Sequence, residues 1–130
     1  MTLELGGKGP QILLEDADLT TAIPIALASG FANSAQACIA GTLILVPESR
    51  QDEALVRLKD HVATLKVGAG TDPEARIGPM VSQKQWERIQ SYIRLGIDEG
   101  AGLLTGGEGR PDGLDRGWFV RPTLFTHVTN

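Results

Sequence analysis

Runs of apolar residues and helical stripes alternate along the chain, and this alternation is the first thing the sequence establishes. Residues 11–14 form a short apolar run after a Gly/Pro turn, closed by Glu15 and Asp16, which predicts a strand. From Asp18 the chain is apolar on most faces to about Asn33, the pattern of a buried helix capped by Asp18. Pro24 falls near its second turn and is expected to kink the start of that helix rather than break it. Residues 42–46 are a continuous β-rich run closed by Pro47, the pattern of a strand covered on both faces. Ser49, with Asp52 three residues on, predicts the cap of a second helix whose stripe is Leu55, Leu58, Val62 and Leu65. Residues 68–78, with Pro73, read as a loop.

The remaining third repeats the scheme. Ser82 and Gln85 make a capping box for a third helix with the stripe Trp86, Ile89, Ile93 and Ile97, stopped by Gly100. Residues 103–105 predict a short strand, 106–117 a flexible glycine-rich turn region, and 118–125 an extended segment with Pro122 at an edge or bend. Strands alternating with helices predict an α/β fold with a largely parallel sheet flanked by helices. No repeat, low-complexity tract or linker-like block divides the 130 residues, so one domain with a single core is expected.

Composition narrows the function classes. Hydrophobic residues make up 42%, charged residues 22% and aromatic residues 5%, which is a globular profile with an aliphatic core. Net charge is -4 and no Lys/Arg run exists, so nucleic acid is not an expected partner. The longest apolar stretch, around residues 22–32, is interrupted by Pro24, Ser29 and Gly30 and is shorter than the roughly 20 residues a bilayer demands. The N-terminus has neither the basic start nor the apolar segment of a secretion signal. One cysteine excludes an intrachain disulfide, and two histidines beside it give no expected metal site. The expected compartment is the cytoplasm.

Two residues draw attention for their chemistry. Cys38 lies at the junction between the apolar helix and the strand at 42–46, a place where α/β folds expose side chains and backbone N–H groups to ligands. A thiol there can ionise and attack a carbonyl while its own N–H holds the resulting oxyanion. It can equally be a small buried hydrophobe among alanines. Glu4, between leucines and followed by two glycines, suits a general base with a raised pKa, or a surface carboxylate near the terminus. Gly6 and Gly7 permit close approach of backbone to a ligand. Gly7-Lys8 without a following Ser/Thr is not a P-loop. His61 and His127 have no partner at metal-ligand or triad spacing, and His61 is expected to be exposed or half-buried on its helix.

Taken together these segments resemble the NAD(P)-dependent aldehyde dehydrogenase superfamily along essentially the whole chain. Leu3-Glu4-Leu5-Gly6-Gly7-Lys8-Gly9-Pro10 is similar to its glutamate motif, and Phe31-x-Asn33-x-x-Gln36-x-Cys38-x-Ala40-Gly41 to its cysteine motif, 34 positions apart from Glu4 to Cys38. Lys66-Val67-Gly68, Asp72-Pro73-Glu74, Ile77-Gly78-Pro79-Met80, Gly100-Ala101, Thr105-Gly106-Gly107 and Phe119-Val120-Arg121-Pro122-Thr123 follow in the family's order. The resemblance implies part of the cysteine-bearing catalytic domain, without a dinucleotide-binding domain in these 130 residues.

It also implies a mechanism. Cys38 attacks an aldehyde to give a thiohemiacetal, hydride passes to NAD or NADP, and Glu4 activates the water that hydrolyses the thioester to a carboxylic acid. Leu5 and Gly6 would lie against the nicotinamide end of the cofactor. Ala35 stands where the family usually has glycine. If that position needs a positive φ, alanine strains it by about 1 kcal/mol or more. With most of the cofactor site outside these residues, dehydrogenase activity is expected to be impaired. Two other readings stay open, a cofactor-independent thiol esterase and a non-enzymatic self-associating module. A homo-oligomer, a dimer or larger, is the expected assembly, because a sheet cut from a larger fold leaves edges and apolar surface to cover.

Overall fold

The structure is a computed structural model and describes residues 1–3 and 5–128. These residues form an α/β arrangement in two compact units, Met1–Thr64 and Leu65–Asn130.

In the first unit, strand β1 (Pro10–Ile12) pairs in parallel with β2 (Leu43–Leu45), in the register Gln11 opposite Ile44. Parallel pairing needs a crossover, and helix α1 (Leu19–Phe31) supplies it. Asp18 caps α1 as its sequence position predicts: the carboxylate accepts from the Thr20 N–H at 2.9 Å and from the Thr20 and Thr21 hydroxyls. These bonds hold the Asp18 carboxyl below its ordinary pKa, the Thr20 hydroxyl contributing most. The helix runs through Pro24 to Phe31, two residues short of the predicted end. Its buried side chains are Leu19, Ile23, Ala26 and Leu27.

Helix α2 (Gln51–Val62) packs Ala54, Leu58 and Val62 inward. The stripe is therefore anchored one residue earlier than Leu55, and Leu65 lies beyond the helix. Ser49 does not cap it. A single 3₁₀ turn, Glu48–Arg50, precedes α2 with Arg50 at the cap position. The Ser49 hydroxyl donates instead to the Glu15 carboxylate at 3.0 Å. The bond orients the Ser49 side chain toward a carboxylate from 34 residues away. Strand β2 is not covered on both faces either, since Leu45 is 43% exposed. It has one neighbour strand among the described residues, which leaves a flank open.

The second unit is built on helix α3 (Gln83–Asp98). Ser82 accepts the Gln85 N–H at 3.2 Å, and the helix ends in a Schellman motif. Gly100, at φ 87°, donates to Ile97, and Ala101 donates to Gly96. Strands β3 (Gly102–Thr105) and β4 (Leu124–Thr126) pair antiparallel, with a register shift between Leu103 and Thr105. The strands thus divide between a parallel pair and an antiparallel one. The extended segment from Trp118 becomes ladder only at Leu124, after Pro122, which lacks an N–H to give. Met80, Ile93 and Val120 form the core here, covered by Trp86, Ile89, Trp118 and Phe125. Val67 and Ile77 bridge within the loop after α2, and Lys66 salt-bridges both Asp72 and Glu74 there. Among the described residues no helix is long and apolar enough to cross a membrane.

Candidate active site

Cys38 sits on the segment that leads from the C-terminal end of α1 to β2. After Phe31 the backbone tightens into a 3₁₀-like turn, Ala32–Ala35, that is left-handed over three consecutive residues. Their φ values are 49° at Asn33, 58° at Ser34 and 59° at Ala35. Asparagine tolerates this region, but an alanine or serine there carries about 1–2 kcal/mol of strain. The glycine-to-alanine departure at position 35 therefore falls on a residue whose φ is positive.

Residues 37–40 then make a β-turn closed by the Ala40 N–H on the Ala37 carbonyl at 3.1 Å. Cys38 and Ile39 occupy its corner and are exposed. The corner position of such a turn leaves its N–H unbonded by the turn itself. The alternative of a buried structural cysteine is set aside by the exposure of Cys38.

The turn is fixed from two sides. On one, Gln11 of β1 donates its side-chain amide to the Ala26 carbonyl at 2.9 Å and the Gly41 carbonyl at 2.5 Å. That single amide ties together β1, α1 and the exit from the turn. Gly41 is buried against it, where a Cβ would lie 2.6–2.7 Å from the Gln11 side chain. On the other side, Gly7 passes so close to Cys38 that a Cβ on it would overlap the Cys38 carbonyl oxygen.

The predicted site residues are thus placed as follows. Cys38 is on the exposed turn, and the segment bearing Gly7 runs beside it. Leu5 and Gly6 are exposed just upstream, and a side chain at Gly6 would meet no atom within 4 Å. Glu4 lies outside the described residues. His61 is half-buried on α2. Sequence reasoning missed Gln11, which read only as a strand residue; a polar side chain inside an apolar strand run was the available signal.

This arrangement has counterparts among known proteins. The aldehyde dehydrogenase family model matches residues 1–130. The fold and the cysteine turn thus belong to a known class of enzyme: the chain is a member of the aldehyde dehydrogenase family. It is 50% identical to an aldehyde dehydrogenase of Mycobacterium tuberculosis solved in complex with NAD+, with a TM-score of 0.94 over 98% of this chain and 26% of that one. It is 39% identical to a cysteine-to-alanine variant of the Pseudomonas syringae enzyme AldC, solved with NAD+ and octanal, with a TM-score of 0.94 over 97% of this chain and 26% of that one. A Staphylococcus haemolyticus protein assigned to the aldehyde dehydrogenases is 45% identical over 130 residues, all of this chain and 27% of the relative. The chain thus spans about 27% of the length of such curated relatives.

Proposed function

We propose that Cys38 is the nucleophile, and Glu4 the base, of an aldehyde-oxidising reaction with NAD or NADP. The observation that carries this reading is the exposed Cys38 turn, with the backbone of the Glu4-bearing motif packed on its carbonyl at Gly7. The Cys38 thiolate adds to the aldehyde carbonyl, and the oxyanion formed accepts a hydrogen bond from the Cys38 N–H. The open space above Gly6 suits a flat cofactor ring approaching the backbone of Leu5 and Gly6. When bound there, NAD or NADP supplies the acceptor for the hydride, so that the carbon held on Cys38 becomes a thioester. Glu4 takes a proton from water, the hydroxide adds to the thioester, and the carboxylic acid leaves with Cys38 again a thiolate.

The 130 residues by themselves provide the thiol and the base, which suffice for ester hydrolysis without a cofactor. p-Nitrophenyl acetate is the test. Release of p-nitrophenolate by the chain should vanish in Cys38→Ala and fall strongly in Glu4→Gln, and hydrolysis indifferent to both changes sinks the assignment. With an aldehyde and NAD+, the 130-residue chain should make little NADH; robust turnover would show that it holds the cofactor unaided.

A second reading concerns assembly. Leu5, Ile12, Leu14, Ile25 and Ile39 of the first unit are each more than 60% exposed. Apolar surface of this kind favours self-association, and a homo-oligomer is the expected state. Light scattering that finds a monomer at every concentration removes this reading.

A further inference from the structure

We infer that Asn33 and Gln36 are positioning residues for Cys38, an inference that rests on the nucleophile reading above. The two residues clasp each other by side chain and backbone. The Asn33 side-chain amide donates to the Gln36 carbonyl at 3.2 Å. The Gln36 side-chain amide donates to the Asn33 carbonyl at 3.3 Å, and the Gln36 N–H donates to that same carbonyl at 3.1 Å. The clasp spans the three left-handed residues and ends two positions before the thiol.

Its placement says what it does. Asn33, Ala35, Cys38 and Ile39 are exposed and Ser34, buried inside the clasp, is polar, so the clasp secures little apolar packing. What it fixes is the direction in which the chain enters the turn at 37–40. Left to itself, a left-handed run at Ser34 and Ala35 relaxes toward ordinary backbone, and that rotation swings the thiol and its N–H away from a common target. Attack on a carbonyl needs both aimed at one carbon–oxygen bond, whereas simple alkylation of a thiol needs only access. The clasp therefore governs acyl chemistry at Cys38 and leaves its general reactivity alone.

The experiment uses the whole chain and three variants. Asn33→Gly keeps the left-handed φ and removes the side-chain donor. Asn33→Asp keeps shape and backbone preference and replaces the donor with an oxygen. Gln36→Leu removes the second donor at similar size. Acylation of Cys38 by p-nitrophenyl acetate should fall about tenfold or more in kcat in each, with KM little changed. Alkylation by iodoacetamide should stay within about twofold. Acylation that stays at the wild-type level, or acylation and alkylation that fall together, overturns the inference. Because Cys38 is the single cysteine, a nitroxide attached to it reports the turn directly. All three variants should sharpen its spectrum, and unchanged lines overturn the clasp. A wild-type chain that is labelled normally yet forms no acyl-thioester defeats the nucleophile reading instead, and the nitroxide spectra then decide the clasp on their own.

Discussion

The two units contain one segment each in which the backbone turns left-handed repeatedly, and they achieve it by opposite means. Around residues 106–117 every described positive φ belongs to glycine: Gly106, Gly107, Gly109, Gly113 and Gly117. Before Cys38 it falls on Asn33, Ser34 and Ala35. The glycine-rich segment, expected to be flexible, is laced down. Gln90 accepts the Gly109 N–H at 2.6 Å, Arg94 pairs with Glu108, and Arg121 donates to the carbonyls of Arg110 and Glu108. The Arg110 guanidinium lies over the rings of both Trp86 and Trp118, at 4.7 and 5.5 Å from their centroids. In the turn before Cys38 the described bonds include amide bonds of 3.1–3.3 Å between Asn33 and Gln36. Where the chain needs only to close, glycine supplies the conformation without strain. Before the exposed Cys38, left-handed residues that carry side chains leave the backbone fewer directions than glycine would allow.

The sharpest way to break this contrast is at Gly7. Gly7→Ala sets a methyl against the Cys38 carbonyl, so the turn and the Gly7 segment can no longer keep their present approach, and Cys38 acylation should drop about 100-fold. Circular dichroism should meanwhile show the helices intact. An unaffected acylation rate would mean that Gly7 does not brace the site.

In the other unit, Gly106→Ala combines a φ of 84° with a Cβ that would overlap Thr123 and the Pro122 carbonyl. Urea unfolding should lose about 2–3 kcal/mol, with Cys38 acylation per folded molecule unchanged. Arg110→Ala removes two cation–π contacts and should cost about 1–2 kcal/mol by the same measurement. Ala35→Gly should raise stability by about 1 kcal/mol, because it relieves a left-handed alanine. If the strain serves orientation, acylation should not rise with it.

The smallest effect is a pH dependence at the cap of α1. The Asp18 carboxyl lies below its ordinary pKa, chiefly through its bond from the Thr20 hydroxyl. It binds its proton less readily folded than unfolded, so its contribution is present above the unfolded-state carboxylate pKa and lost as pH falls through the lower folded value. Acid unfolding below about pH 4 should therefore lose its Asp18-dependent part in Asp18→Ala, as read by melting curves at several pH values.

How much of this was legible beforehand follows the range of the interactions. The Asp18 and Ser82 caps and the Gly100 stop are written within five residues of where they act, and the structure has each in place. The motif order named the family, and the family's glycine position marked Ala35 as a place of strain. Ser49 departs from its cap signature because its partner, Glu15, arrives from the far side of α1. The role of Gln11 is hidden in the sequence for the same reason: its two acceptors, on α1 and beyond the turn, are neighbours only after the helix has crossed over. The Asn33–Gln36 clasp is local, yet hydrophobic patterning cannot detect it, since neither residue contributes to a core.

The Gln11 amide has a kinetic consequence. It joins Ala26 and Gly41 across sequence separations of 15 and 30 residues, so its bonds form only after α1 exists and the chain has looped back. Closing loops of that size costs entropy before any contact compensates it, which places such contacts late in folding. The turn at Cys38 lies inside the larger loop and inherits that delay. During refolding, helix signals should therefore recover first, and the capacity of Cys38 to be acylated should return last.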